Sequence, residues 1–310
     1  MRASLLLALA LGAANAPALA QPPAAAPVNR FAATIEPAER FESGALLVER
    51  HGTRGQPLLL IPGLASGPWV WQDVIRQFKG DHVIYVVTLP GFDGRPAPKD
   101  APFESARVAL RDLIAQRKIK QPVLIGHSLG GILALAVAED LGNGIKGVVT
   151  LDGLPVFPGT ENMPPEQRPQ AASNVRARMA TSQPQAYAAQ QRQYMRSQGV
   201  LDMSKADDLT PLMLRSDPEA VGAYVADVLG LDLRPGLSRI AAPVLVVAPY
   251  YEYDALQDGL SMPAKVEHYR SLLDGAPSVE VTPVSPARHF LMIDQPQAVG
   301  AILKRFIERP

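Results

Sequence analysis

The segment LIGHSLGGILAL, residues 124–135, limits what this chain can fold into more than any other stretch. An apolar run stops at Gly126, one hydroxyl stands at Ser128, and an apolar helical pattern begins after Gly130 and Gly131. A strand that turns straight into a helix through glycines fits this order of residues. A strand of unbroken Val, Leu and Ile is buried on both faces, so it belongs in a parallel sheet that carries helices on each side. The rest of the chain agrees. Strand patterns at 44–52, 57–63, 82–91, 122–126, 145–153, 243–250 and 279–284 alternate with helical ones at 68–78, 103–119, 131–142, 264–273 and 296–308. The spacing predicts an α/β fold built on a mostly parallel, doubly wound sheet.

Residues 154–238 break the rhythm. They hold no convincing strand and are rich in Pro, Gln, Met and Ala. Val221, Tyr224, Val225, Val228 and Leu229 recur at helical spacing, and Tyr187, Tyr194 and Met195 share a face of an earlier helix. An all-helical cap is expected here, dividing a core of 41–153 and 239–310.

The N-terminus is separate. MRASLLLALALGAANAPALA carries Arg2, an apolar run from about Leu5 to Ala14, and the small residues Ala18 and Ala20 around Leu19. This predicts a secretory signal peptide over 1–20, cleaved before Gln21. Its apolar run is shorter than the roughly 20 residues a membrane span needs. Residues 21–40, opening QPPAAAPV, read as a Pro/Ala-rich lead-in. The expectation is an exported protein, periplasmic or secreted, with no stable membrane span once the signal is removed.

Composition narrows the chemistry. Lys plus Arg and Asp plus Glu each number 30, giving a net charge of +0, and no basic run stands out. A nucleic-acid partner is therefore not expected, since phosphate binding needs a concentrated basic footprint. The absence of cysteine excludes a disulfide framework, a thiol nucleophile and a cysteine metal site. There is no G-x-G-x-x-G after a strand, no P-loop lysine motif and no H-E-x-x-H, so neither cofactor nor metal is expected.

Gly126-His127-Ser128-Leu129-Gly130 fits G-x-S-x-G between a strand and a helix, the context that gives the motif meaning. The turn is so tight that Gly126 and Gly130 must lack side chains. Ser128 would stand strained with its hydroxyl in the open, at a helix N-terminus that favours developing negative charge. A serine hydroxyl attacks only after a base takes its proton. Of five histidines, His127 sits inside the turn to orient or pack, His51 and His82 border strands, His268 lies in a charged helix, and His289 lies in a loop after the last strand.

From about residue 44 to the C-terminus the chain resembles enzymes of the α/β-hydrolase fold, in particular serine esterases and lipases. LLLIPGLASGPWVW resembles the family's oxyanion loop, and VVTLPGFDGRP resembles its D-x-P-G-x-G-x-S segment. GHSLGG matches the nucleophile elbow, and SPARHFLMIDQP resembles the loop bearing the catalytic histidine. The resemblance implies a cap after the sixth strand, where 154–238 lies. It implies His289 as base, with the backbone N–H groups of Leu64 and Leu129 as the oxyanion hole and Gly63 letting the loop approach closely. For the acid it implies either the loop PYYEYDALQDG, which offers Glu252 and Asp254 but lacks the family's glycine, or the end of VVTLDG, which offers Asp152. Asp152 is preferred because it ends a strand expected beside the elbow strand. Trp69, Trp71, Tyr250 and Tyr251 are candidates to wall the pocket, the two tryptophans being equally suited to anchoring the first helix on the sheet. A serine in the elbow, rather than an aspartate, sets the chain apart from the family's haloalkane dehalogenases and epoxide hydrolases. The implied function is an exported serine hydrolase that cleaves a small-molecule carboxylic ester through an acyl-enzyme on Ser128. Lactonase, amidase, acyltransferase or perhydrolase chemistry on the same triad, or an inactive binding protein of the same fold, are the alternatives.

Overall fold

The unbroken apolar runs fold as buried strands. In the computed structural model, which describes residues 29–97, 102–180 and 183–309, one sheet is built from β1 (Glu39–Ser43), β2 (Leu46–His51), β3 (Pro57–Ile61), β4 (Val83–Thr88), β5 (Val123–His127), β6 (Gly147–Leu151), β7 (Val244–Pro249) and β8 (Val279–Val284). Their order across the sheet is β1-β2-β4-β3-β5-β6-β7-β8. The first two strands form an antiparallel hairpin, β2 also runs antiparallel to β4, and every later pairing is parallel. The mostly parallel, doubly wound reading therefore holds.

β1 is the strand the pattern missed. It starts at Glu39, inside the stretch expected as lead-in. Its sequence ERFES shows no apolar run because it is an edge strand. Its one large apolar side chain, Phe41, packs toward the core, with the Arg117 guanidinium 3.5 Å from its ring centre. The expected signal peptide lies outside the described residues.

The helices are α1 (Gln72–Phe78), α2 (Pro102–Gln116), α3 (Leu129–Leu141), α4 (Arg168–Ala180), α5 (Pro184–Tyr194), α6 (Met203–Met213), α7 (Pro218–Gly230), α8 (Glu252–Asp258), α9 (Met262–Ser271), α10 (Leu291–Asp294) and α11 (Pro296–Ile307). The pattern at 68–78 divides into a 3₁₀ turn, Pro68–Trp71, and then α1. α8 had no expected counterpart. Its Tyr253 and Leu256 are 64% and 74% exposed, so no apolar face marked it in the sequence.

Helices α4 to α7 all fall between β6 and β7, and among the described residues the one β-pairing there is an isolated bridge from Val156 to Asp232. That bridge closes the base of the cap. The buried Arg168 reinforces it by donating to the carbonyl oxygens of Thr160 and Leu231. α7 starts where the Asp217 carboxylate accepts from the Ala220 N–H, and it buries Val221, Tyr224 and Val228. α4 packs along α7.

β3 is flanked by β4 on one side and β5 on the other. The chain leaves β3 toward one edge of the sheet and β5 toward the other, so their loops separate and leave a crevice above the strand ends. Among the described residues no helix is long and apolar enough to cross a membrane.

Candidate active site

β5 ends at His127 and α3 begins at Leu129, leaving Ser128 alone on the turn with φ 52° and ψ −120°. A Cβ on Gly126 would lie 2.0 Å from the carbonyl oxygen of Gly130, and one on Gly130 would lie 2.1 Å from that of Ile61. Backbone fills the space on both sides of the serine, which is why the motif needs glycine there. The left-handed conformation of Ser128 costs on the order of 1–3 kcal/mol, and the surroundings enforce it. Its N–H donates to Leu151 O at 2.9 Å, tying the turn to the end of β6.

Asp152 follows that strand end directly, also at positive φ (54°), with its N–H held by Val247 O at 3.0 Å. His289 comes from the loop between β8 and α10, and its Nδ1 lies 2.6 Å from Asp152 Oδ2. Burial alone would raise the Asp152 carboxyl, but the hydrogen bond and charge of His289 outweigh it and hold the group at about 2. An ionised carboxylate only accepts, so Nδ1 carries a proton, and in the neutral ring Nε2 is then the nitrogen that keeps its lone pair. The other carboxylate oxygen, Oδ1, accepts from the Tyr269 hydroxyl at 2.6 Å.

The rival acids stand elsewhere. Both oxygens of Asp254 are taken by Arg288, at 2.7 and 2.9 Å, and Glu252 is exposed at the start of α8. Sequence left three acids open; the geometry brings only Asp152 to the histidine.

Ser128, Asp152 and His289 line one cavity of about 760 Å³, together with Leu64 and Leu129. Leu129 is the first residue of α3, so its N–H has no acceptor within the helix. Leu64 lies just beyond β3, across the crevice. The far walls are cap residues, among them Val175 and Met179 of α4, Gln190, Gln191 and Tyr194 of α5, Met213 of α6 and Val221, Val225 and Val228 of α7.

The four aromatic pocket candidates are not in this lining. Trp69 and Trp71 are buried in the core, where Trp69 stacks on Phe290 with ring centres 6.2 Å apart. Their 3₁₀ turn directs them onto the sheet, which is the anchoring role. Tyr251 lies under the Arg288 guanidinium at 5.3 Å, and Tyr250 sits in the same β7–α8 segment. Phe157, Tyr194, Tyr269 and Phe290 supply the aromatic surface instead. Helical spacing singled out Tyr194, but Tyr269 belongs to no motif.

His127 is fully buried, and its Nε2 donates to the backbone oxygen of His289 at 3.0 Å. Burial and the neighbouring His289 push it down to about 3, so the ring stays neutral. Gly63 lies against it, where a Cβ would come within 2.6 Å of Nδ1. The cap also grips the histidine loop. The N–H groups of His289 and Phe290 donate to Gln198 O at 3.1 Å and Gly199 O at 2.9 Å, within the π-helical turn Met195–Gly199 that follows α5.

Comparison with known proteins agrees with the fold. The alpha/beta hydrolase family profile matches residues 58–302. A pimeloyl-[acyl-carrier protein] methyl ester esterase of Aeromonas hydrophila is 26% identical over 266 residues, covering 84% of this chain and 98% of that protein. Among solved structures, a thermophilic esterase from Thermogutta terrifontis superposes with a TM-score of 0.67 at 20% identity, covering 87% of this chain and 98% of that one. The enol-lactonase from Burkholderia xenovorans gives 0.69 at 16% identity, covering 87% and 100%.

Proposed function

The chain belongs to the alpha/beta hydrolase family, and on that premise we propose that it is an exported hydrolase of small carboxylic esters that works through an acyl-enzyme on Ser128. The observation that carries the reading is the 2.6 Å contact between His289 and an ionised Asp152, in a cavity that also holds the strained Ser128. A base oriented by a carboxylate beside a serine on an elbow is what activation of that hydroxyl requires. The signal-peptide pattern at 1–20 supports export, and the similarity to a methyl ester esterase supports an ester as substrate.

In this reading Ser128 Oγ forms a bond to the ester carbonyl carbon as its proton passes to His289 Nε2. The carbonyl oxygen becomes an oxyanion held by the N–H groups of Leu64 and Leu129. The carbon–alkoxy bond then breaks, and the leaving alcohol takes the proton from His289. Water attacks the acyl-enzyme, gives its proton to the same nitrogen, and the carboxylic acid leaves as Ser128 recovers its proton. The apolar cap walls suit an acyl group of short to medium length, in a cavity within the roughly 300–1,000 Å³ typical of small-molecule sites.

The test is labelling with a fluorophosphonate, followed by turnover of activated aryl esters. The protein is expected to label at Ser128, and Ser128→Ala is expected to fold, to resist labelling and to lose about 10⁶ in kcat. A folded wild type that neither labels nor cleaves any ester overturns the reading.

A further inference from the structure

We propose that Tyr269 is a positioning residue for this hydrolysis, fixing the rotation of the Asp152 carboxylate so that its other oxygen holds His289. The inference rests on the hydrolase reading above and concerns a residue with no place in the sequence motifs.

Asp152 is held through both its backbone and its side chain. Its backbone is fixed by its N–H bond to Val247 O at 3.0 Å. Its side chain still has two torsions, and a bond to His289 through Oδ2 alone would let the carboxylate swing about that contact. The Tyr269 hydroxyl reaches Oδ1 at 2.6 Å, so the carboxylate plane is pinned at both oxygens by groups from two different loop-linked elements. Tyr269 sits on α9, between β7 and β8, while the histidine follows β8. Tyr269 is 8% exposed, and Lys265, one turn earlier on α9, places its ammonium 5.4 Å from the ring centre.

The direction of the hydrogen bond is settled by chemistry. Burial and the adjacent carboxylate push the Tyr269 hydroxyl well above its ordinary range, so it keeps its proton and donates it. An O–H to carboxylate bond is charge-assisted and short, hence directional. Removing the hydroxyl leaves Oδ1 in a largely desolvated place with no donor, and the carboxylate is free to turn away from Nδ1. Correct tautomer and orientation of the imidazole are what a triad acid supplies, so the loss falls on turnover and not on substrate affinity.

The experiment is a double-mutant cycle on one activated aryl ester, using wild type, Tyr269→Phe, Asp152→Asn and the double variant, with thermal melts of each. Tyr269→Phe is expected to lower kcat about tenfold to a hundredfold with KM unchanged and with a melting temperature near that of wild type. In the Asp152→Asn background the same change is expected to cost no further kcat, because no carboxylate remains to be oriented. Tyr269→Leu, which also lacks the hydroxyl, serves should Tyr269→Phe not fold. An active wild type with Tyr269→Phe within twofold of it overturns the assignment alone, as do losses that multiply in the double variant. A wild type that neither labels with fluorophosphonate nor turns over an ester overturns the hydrolase reading and the assignment with it.

Discussion

One ion pair separates Asp254 from the part that Asp152 plays. Asp254 spends both oxygens on Arg288, the neighbour of His289, whereas Asp152 meets the imidazole itself. Asp152→Asn is therefore expected to lower kcat by about 10⁴, because the amide would force the wrong imidazole tautomer. Asp254→Asn and Glu252→Gln are expected to keep kcat within tenfold of wild type on the same ester. Inactivity of Glu252→Gln alone would move the acid to the β7 loop. The elbow was legible because close packing there leaves glycine no substitute. The acid was legible only as a preference for Asp152 over Glu252 and Asp254, because an aspartate at a strand end looks the same whether it binds local backbone or a histidine 137 positions away. His127 offers a second test at this scale. Its folded pKa is depressed from 6.5 to about 3. Below pH 6.5 the unfolded chain takes up a proton that the folded chain refuses, so stability falls with falling pH down to about 3, by at most roughly 1.4 kcal/mol per pH unit. Asp152 does not blur this window, since its contribution is lost only between about 3.8 and 2. His127→Gln is expected to flatten the acid slope of urea midpoints between pH 6 and 4. Equal slopes in the two proteins would mean that His127 does not stay neutral in the fold.

Elements were readable in proportion to how much apolar surface they bury. The central strands β3, β5, β6 and β7 are continuous Val, Leu and Ile because helices cover both their faces, and they stand out from the sequence alone. β1 and α8 bury little and were missed, and the π-helical turn Met195–Gly199 leaves no periodic trace at all. In the cap, the stripe Val221, Val225 and Val228 on α7 was visible as a helical face, but its purpose was not. The structure turns that stripe toward the cavity rather than only inward to cap packing. Val225 is half-buried there. Val225→Phe adds a ring to the cavity wall, and it is expected to cut kcat/KM for a medium-chain aryl ester about 10- to 100-fold while leaving the acetate within threefold. Equal losses on both esters would show that α7 does not bound the acyl site.

At the scale of the whole molecule, the sheet gathers the site at the ends of neighbouring strands, and the cap completes it from above. A cap that served only as a substrate lid would need no bond to the catalytic loop. Here it has several. Besides the two backbone bonds from His289 and Phe290 to the π-helical turn, Arg288 donates to Arg196 O at 2.9 Å, and Lys205 of α6 donates to Ile293 O at 2.8 Å. The Asp294 carboxylate joins the two sides, accepting from Leu201 N–H at 3.0 Å and from Arg288 N–H at 2.9 Å. The cap partners in these contacts, Arg196, Gln198, Gly199, Leu201 and Lys205, lie outside the cavity lining, yet each helps fix the segment that carries His289. Holding the His289 loop and walling the cavity are thus separable tasks for the cap. Asp294→Ala removes the shared acceptor without altering the cavity lining. It is expected to lower kcat about tenfold on an aryl acetate and on a medium-chain ester alike, with KM unchanged, since losing hydrogen bonds to a charged group costs on that order. Replacing 154–238 by a short linker is expected to abolish turnover even of the acetate, the substrate that needs no acyl pocket. If the capless chain folds, as circular dichroism and a cooperative melt would show, and still cleaves the acetate at the wild-type rate, then the histidine loop is held by the core alone and the cap is only a lid.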